Sequence, residues 1–191
     1  MQLTKTTTRY LTRAAVIAAL YVVLTLAFAP ISYGEIQVRI SEMLTILPFF
    51  TPAAIPGLFI GCLAANLFNL SGVVWSDVVF GSLATLLGAI GTYLLGKLPG
   101  KKFTLFLSPL PPIVFNTLMI PPILKYGYGV EDGILILGAF IFLGELISCA
   151  GLGLPFGIAL QKLGPKIFKR SEKENPAVSG QAETFPEEKQ P

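Results

Sequence analysis

The chain has no histidine among its 191 residues, and only 13% of them are charged. The first absence excludes histidine-based catalytic triads and histidine metal sites. The second falls well below the roughly 25% charge of a soluble domain. The deficit is concentrated, since Asp77 is the only Asp, Glu, Lys or Arg between Met43 and Gly96. Cysteine is scarce too. Cys62 and Cys149 stand far apart in apolar segments, without metal-ligand spacing, and read as buried thiols. There is no glycine-rich nucleotide loop followed by Lys-Ser or Lys-Thr, so this chain is not expected to hydrolyse ATP. A formal net charge of +3, scattered along the chain, gives no footprint for nucleic acid.

Long apolar runs take the place of charge. Hydrophobic residues make up 53% of the sequence. Ala14–Ala29, Val78–Leu95 and Gly133–Phe142 are continuous apolar stretches, not the polar-apolar alternation of a barrel strand. Backbone in hydrocarbon must satisfy its own hydrogen bonds. The expected fold is therefore an all-α integral membrane protein.

Six spans can be placed. The first covers Leu11 to Ala29, behind Lys5, Arg9 and Arg13; Ala27-Phe28-Ala29 also fits a signal-cleavage sequence, an alternative reading of the same segment. The region Ile40–Leu70 is too long for one simple crossing, and Pro48, Pro52 and Pro56 interrupt it. It reads as a short or tilted helix up to about Phe50, a turn at Thr51-Pro52, and a helix from about Ala54 to Phe68. The fourth span is Asp77–Gly96. The fifth is Phe103–Leu124, where Pro109, Pro111, Pro112, Pro121 and Pro122 argue against a straight helix. The last is Gly133–Leu160, longer than one crossing needs, which implies tilt, an interfacial end or a kink near Gly151-Leu152-Gly153.

Charge placement favours six crossings over five. Basic residues prefer the cytoplasmic side. With six crossings, Lys5/Arg9/Arg13, Lys97/Lys101/Lys102 and Lys162/Lys166/Lys169/Arg170 share one side, and both termini are cytoplasmic. The outer connections then hold Glu35, Glu42, Asp77, Glu131 and Asp132, with Arg39 and Lys125 as the basic residues. The expected organisation is a six-helix bundle with broken or tilted helices over residues 1–170, then a flexible cytoplasmic tail over 171–191, rich in Glu, Pro and polar residues.

Polar groups at membrane depth are costly, which makes them candidates for function. Glu145, thirteen positions beyond Asp132, lies roughly 20 Å along an unbroken helix. It reads as a ligand-binding carboxylate or as a protonated, internally bonded packing residue. Asn116 reads as an amide facing a ligand or as a helix–helix hydrogen bond. Glu42 has three readings: a ligand contact, an ion pair with Arg39, or a helix-start interaction. Asp77 follows Ser76 at a helix start, where capping competes with binding. Trp75 reads as an interface anchor or a stacking surface. Asn66 reads as structural. Convergence of these groups on a cavity open to the outside is the functional expectation. Small residues recur at four-residue spacing: Ala14/Ala18, Ala15/Ala19, Gly57/Gly61 and Gly153/Gly157. Such faces permit close helix contact within the chain or with a partner.

Two stretches sharpen this reading. Gly34-Glu35-Ile36-Gln37-Val38-Arg39-Ile40-Ser41-Glu42-Met43-Leu44 and Asp77-Val78-Val79-Phe80-Gly81-Ser82-Leu83-Ala84-Thr85 resemble the QueT family, and the resemblance extends over about residues 5–168. It implies a membrane substrate-capture component of an energy-coupling factor transporter. The implied partners are a transmembrane coupling subunit, two cytoplasmic ATPases and the surrounding lipid, and Ala14, Ala15, Ala18 and Ala19 match the contact motif of the first helix. The implied cargo is a 7-deazaguanine queuosine precursor, held without catalysis, cofactor or metal. Its guanine-like edge would meet Glu145 and Asn116, an amine would meet Glu42 or Asp77, and its ring would stack on Trp75. A related component for another vitamin-like substrate is the alternative. A membrane enzyme using Glu145 and Asp77 as acid and base is a weaker reading, as is a purely structural subunit.

Overall fold

The first apolar run forms helix α1, Lys5–Ala27, in the computed structural model, which describes residues 5–33, 37–69 and 72–163. The expected tail at 171–191, Lys166, Lys169, Arg170 and the Gly34–Ile36 segment lie outside the described residues. Two compact units are distinguished, Met1–Leu154 and Pro155–Pro191. In the second, residues 155–163 are helical.

Helix α1 is followed by the short α2, Ala29–Ser32, with Pro30 in its first turn, where its missing N–H costs nothing. After it come a 3₁₀ helix, Ile40–Phe49, and α3, Ala54–Leu67. The π-helical stretch Asp77–Gly81 leads into α4, Ser82–Lys97. Helices α5, Lys101–Leu107, and α6, Leu110–Gly127, are followed by α7, Ile134–Glu145, and a second π-helical stretch, Leu146–Gly153. The described residues are thus all-α, with seven α-helices. Four helical spans are long and apolar enough to cross a membrane: Thr7–Ala27, Asp77–Lys97, Lys101–Gly127 and Ile134–Leu163. The chain is a multi-pass membrane protein.

The proline-rich second region divides where the sequence suggested, but its winding differs. Residues 40–49 form a 3₁₀ helix, with Thr45 Oγ1 donating to the Glu42 carbonyl three residues back at 2.6 Å. A 3₁₀ helix rises about 2.0 Å per residue, so these ten residues extend about 20 Å. The fourteen residues of α3 extend about 21 Å at the ordinary α-helical rise. The expected fifth span is two helices. Pro109 interrupts the ladder at Ser108–Pro109, and Pro111 and Pro112 follow in the first turn of α6, where proline is tolerated. Pro121 and Pro122 remain inside α6 and free the carbonyls of Thr117 and Leu118 from the helical ladder. In the last span the winding loosens to π at Leu146–Gly153, around the expected glycine kink.

Small residues set the helix contacts. A Cβ on Gly57 would stand 2.7 Å from the Ala14 carbonyl oxygen, and one on Gly61 would stand 3.0 Å from that of Ala18. Helices α1 and α3 therefore meet backbone to backbone. On α4, a Cβ at Gly88 would stand 2.8 Å from Pro112 Cα, so α6 packs equally close there. Large apolar side chains cover the outside as well as the core. Val23, Leu94, Phe106, Leu118 and Leu135 are exposed, as lipid contact requires, while Thr25, Ser41, Glu42, Asn66, Asp77, Asn116 and Glu145 are buried.

Candidate functional site

An apolar cluster holds α6 against α7 and sets their register. Ile120, Ile123 and Leu124 pack with Leu137 and Ile141. One turn before Ile120 is Asn116, and one turn after Ile141 is Glu145, so antiparallel helices in this register bring the two together. Asn116 Nδ2 donates to Glu145 Oε1 at 2.8 Å, and both residues are buried. Another turn beyond Glu145, the Cys149 thiol donates to Glu145 Oε2 at 3.2 Å.

The 3₁₀ helix brings the third polar element. Glu42 is 1% exposed. Its Oε1 accepts a hydrogen bond from the Tyr21 hydroxyl of α1, while its Oε2 has no partner. Ligand atoms of Glu42, Glu145 and Cys149 all lie within 4.8 Å of one another. Thr45 Oγ1 lies 3.5 Å from Cys149 Sγ and ties the 3₁₀ helix to the π-helical stretch. Two carboxylates and a thiol are donor types that a divalent cation accepts.

Asp77 belongs to a neighbouring network. Its Oδ2 accepts from the Tyr128 hydroxyl at 2.9 Å and lies 3.6 Å from Arg39 Nη2, with both charged side chains buried. Asn69 Nδ2 donates to the Tyr128 hydroxyl at 3.2 Å, and Asn66 Nδ2 donates to the Asp77 carbonyl at 3.1 Å. Arg39 Nε donates to the Ser32 carbonyl, and its guanidinium lies 5.4 Å from the Tyr33 ring centre. Connections after α2, before α4 and after α6 are thereby joined at one end of the bundle. Tyr33 donates to the Ala65 carbonyl at 2.7 Å; burial pushes its phenol up to about 12, against the lowering effect of Arg39. Burial also raises the Tyr128 phenol, helped by the charge of Asp77 and by the bond that Tyr128 donates to it.

Asn116, Glu145 and Glu42 therefore come together, while Asp77 enters a separate ion-paired network. The suggested Glu42–Arg39 ion pair is not formed, because Arg39 turns to Asp77. Ser76 makes no side-chain cap, and the Asp77 side chain points into the protein instead of capping the helix. Trp75 is 71% exposed, in the helical turn before the π-helical stretch that leads into α4. Asn66 fits its structural reading through its bond to the Asp77 carbonyl. Ala14 is buried and Ala18 half-buried against α3, whereas Ala15 and Ala19 are exposed.

Tyr21 and Tyr128 join these networks without having been singled out, and Cys149, expected only as a buried thiol, joins them as a donor to Glu145. A tyrosine inside an apolar helix and a cysteine four residues after an intramembrane glutamate were the available signals. Both π-helical stretches adjoin a buried carboxylate, Asp77 in one case and Glu145 in the other. Such widened turns often mark functional positions. Two apolar grooves open elsewhere: one of about 390 Å³ beside Phe80, Met119 and Pro122, and one of about 550 Å³ beside Leu94, Leu98 and Leu107.

Comparison with known proteins places this architecture. The model of the QueT transporter family matches residues 11–162, most of the chain. The chain belongs to the QueT family. It is 45% identical over 74 residues to the queuosine precursor transporter QueT of Lactococcus lactis subsp. cremoris. That alignment covers 38% of this chain and 42% of the relative, less than half of either. No solved structure matches the chain. Within this QueT-family protein, the matched region includes all of the buried polar residues described above.

Proposed function

We propose that this QueT-family chain is the substrate-capture component of an ATP-driven importer of the energy-coupling factor type, with a 7-deazaguanine queuosine precursor as its cargo. Family membership and the name of the Lactococcus relative support the transport role and the class of cargo. The observation that carries a binding function is the buried Asn116–Glu145 pair facing Glu42. Such groups are costly inside a membrane protein unless they are used. A carboxylate has about four lone-pair positions. Glu145 thus retains acceptor capacity for ligand N–H groups beyond the bonds from Asn116 and Cys149, and the Asn116 amide oxygen supplies a further acceptor.

The proposed topology has six crossings with both termini in the cytoplasm. The 3₁₀ helix and α3 each rise about 20 Å, and as short crossings of a locally thinned bilayer they put the Lys97–Lys102 cluster on the side of the amino terminus. A coupling subunit and two ATPases would supply the motor that this sequence lacks. The exposed Ala15/Ala19 face of α1 is the part of the small-residue motif left open for the coupling subunit, since Ala14 and Ala18 already pack on α3.

Titrating the detergent-solubilised chain with 7-deazaguanines, without ATP, tests the function; riboflavin, thiamine and biotin serve as comparisons. Saturable binding of a deazaguanine is expected. Binding of one of the vitamins with no response to the deazaguanines would reassign the cargo, and turnover by the isolated chain would make it an enzyme.

A further inference from the structure

We propose that Glu42 and Glu145 form one seat for a protonated amine, so that the protein selects cationic ligands over neutral ligands with the same ring system. This assignment rests on the transport reading above and specifies which chemical group of the cargo the carboxylates take.

The two carboxylates come from different elements, yet their oxygens approach within 4.8 Å. Both side chains are more than nine-tenths buried. No Lys or Arg among the described residues forms an ion pair with either. Arg39, three residues before Glu42, pairs with Asp77. Every hydrogen bond reaching the two carboxylates comes from a neutral group: the Tyr21 hydroxyl, the Asn116 amide and the Cys149 thiol. Glu42 Oε2 receives none.

Two like charges this close in a medium of low polarity repel, and a buried carboxylate oxygen without a donor is costly. A cation removes both penalties together. A primary ammonium carries three donors. Charge-assisted N–H···O bonds are about 2.8 Å long, so one nitrogen bridges oxygens up to about 5.6 Å apart. The observed spacing falls inside that limit. Tyr21 acts as a positioning residue, holding Glu42 through Oε1 so that Oε2 remains for the ligand. Arg39 makes its ion pair with Asp77 and not with either carboxylate of the seat.

The test uses the full-length chain in detergent and two 7-deazaguanines, one bearing an aminomethyl group and the other a neutral nitrile at the same ring position. The parent should prefer the amine. Glu42→Gln should weaken amine binding by about 10- to 150-fold, while nitrile binding changes by less than about threefold. Glu42→Asp, which keeps the charge, should preserve the preference, and this guards against a merely structural effect. Tyr21→Phe should reduce the preference without abolishing it. Equal losses for both compounds in Glu42→Gln, or a parent that prefers the nitrile, would overturn the assignment and leave the transport reading standing. Failure of both compounds to bind the parent would overturn both. Amine binding abolished by EDTA and restored by Zn²⁺ would also overturn it, because the carboxylates would then be metal ligands.

Discussion

Asn116 of α6 donates a 2.8 Å hydrogen bond to Glu145 at the end of α7, sealed from solvent on both sides. The bond joins two helices through groups that lipid would not tolerate, and its position follows from the apolar register one turn away. The Glu145 carboxylate also receives the Cys149 thiol and faces Glu42, so its environment is built for accepting donors. Glu145→Gln keeps the side-chain shape but exchanges a charged acceptor edge for an amide. Ligand affinity should fall by about 10- to 150-fold, with a much smaller change in thermal unfolding without ligand. Unchanged affinity would remove Glu145 from the site, and parallel losses of affinity and stability would mark it as structural.

The Arg39–Asp77 pair should matter mainly for stability. Removing one partner of a buried ion pair typically costs about 3–5 kcal/mol, because the other charge is left buried alone. Asp77→Asn should therefore lower the unfolding midpoint strongly. In Arg39→Gln/Asp77→Asn, less should be lost than the two single variants predict together, since neither then strands a charge. Denaturation of all four proteins in one detergent measures the coupling. Additive losses would mean that the two residues act independently.

Gly57→Ala tests the contact between α1 and α3. The added methyl meets the Ala14 carbonyl oxygen at 2.7 Å and Ile17 Cβ at 3.0 Å, so the helices must separate. Overpacking of this kind costs about 1–3 kcal/mol. Thermal unfolding should show that loss, whereas Gly133→Ala, where nothing lies within 4 Å of the added methyl, should change little. A neutral Gly57→Ala would mean that the helices do not depend on this approach.

Lys101 should face the cytoplasm, on the same side as both termini. Cysteine introduced there should react with an impermeant maleimide in inverted vesicles and remain protected in intact cells. Labelling in intact cells, with cytoplasmic termini, would reject the six-crossing topology.

Alkali should weaken the packing of Tyr33. Its folded pKa is raised from 10.0 to about 12, so its contribution is complete below pH 10 and disappears as pH climbs through about 12. Between those values the parent should lose stability faster than Tyr33→Phe, as followed by denaturation at successive pH values. Parallel curves would show that the phenol does not titrate differently in the folded protein.

Membrane residence, helical character and most helix boundaries were legible in the sequence, because apolar runs and prolines act locally. The turn at Thr51-Pro52 and the departure of the fifth span from a straight helix are of this kind. Glu145, Asn116 and Glu42 also stood out alone, since polarity inside an apolar run is visible without any partner. Pairing was not. Whether Arg39 reaches Glu42 or Asp77 depends on how distant segments meet, and residues 39 and 42 lie close in sequence without forming that bond. The same limit applied to Tyr21 and Cys149, ordinary residues of apolar helices until packing sets them beside Glu42 and Glu145. Local chemistry determined which groups demanded a partner. Only the tertiary structure decided which partners they have, because hydrogen bonds and charge pairs depend on separations of a few ångströms between elements far apart along the chain.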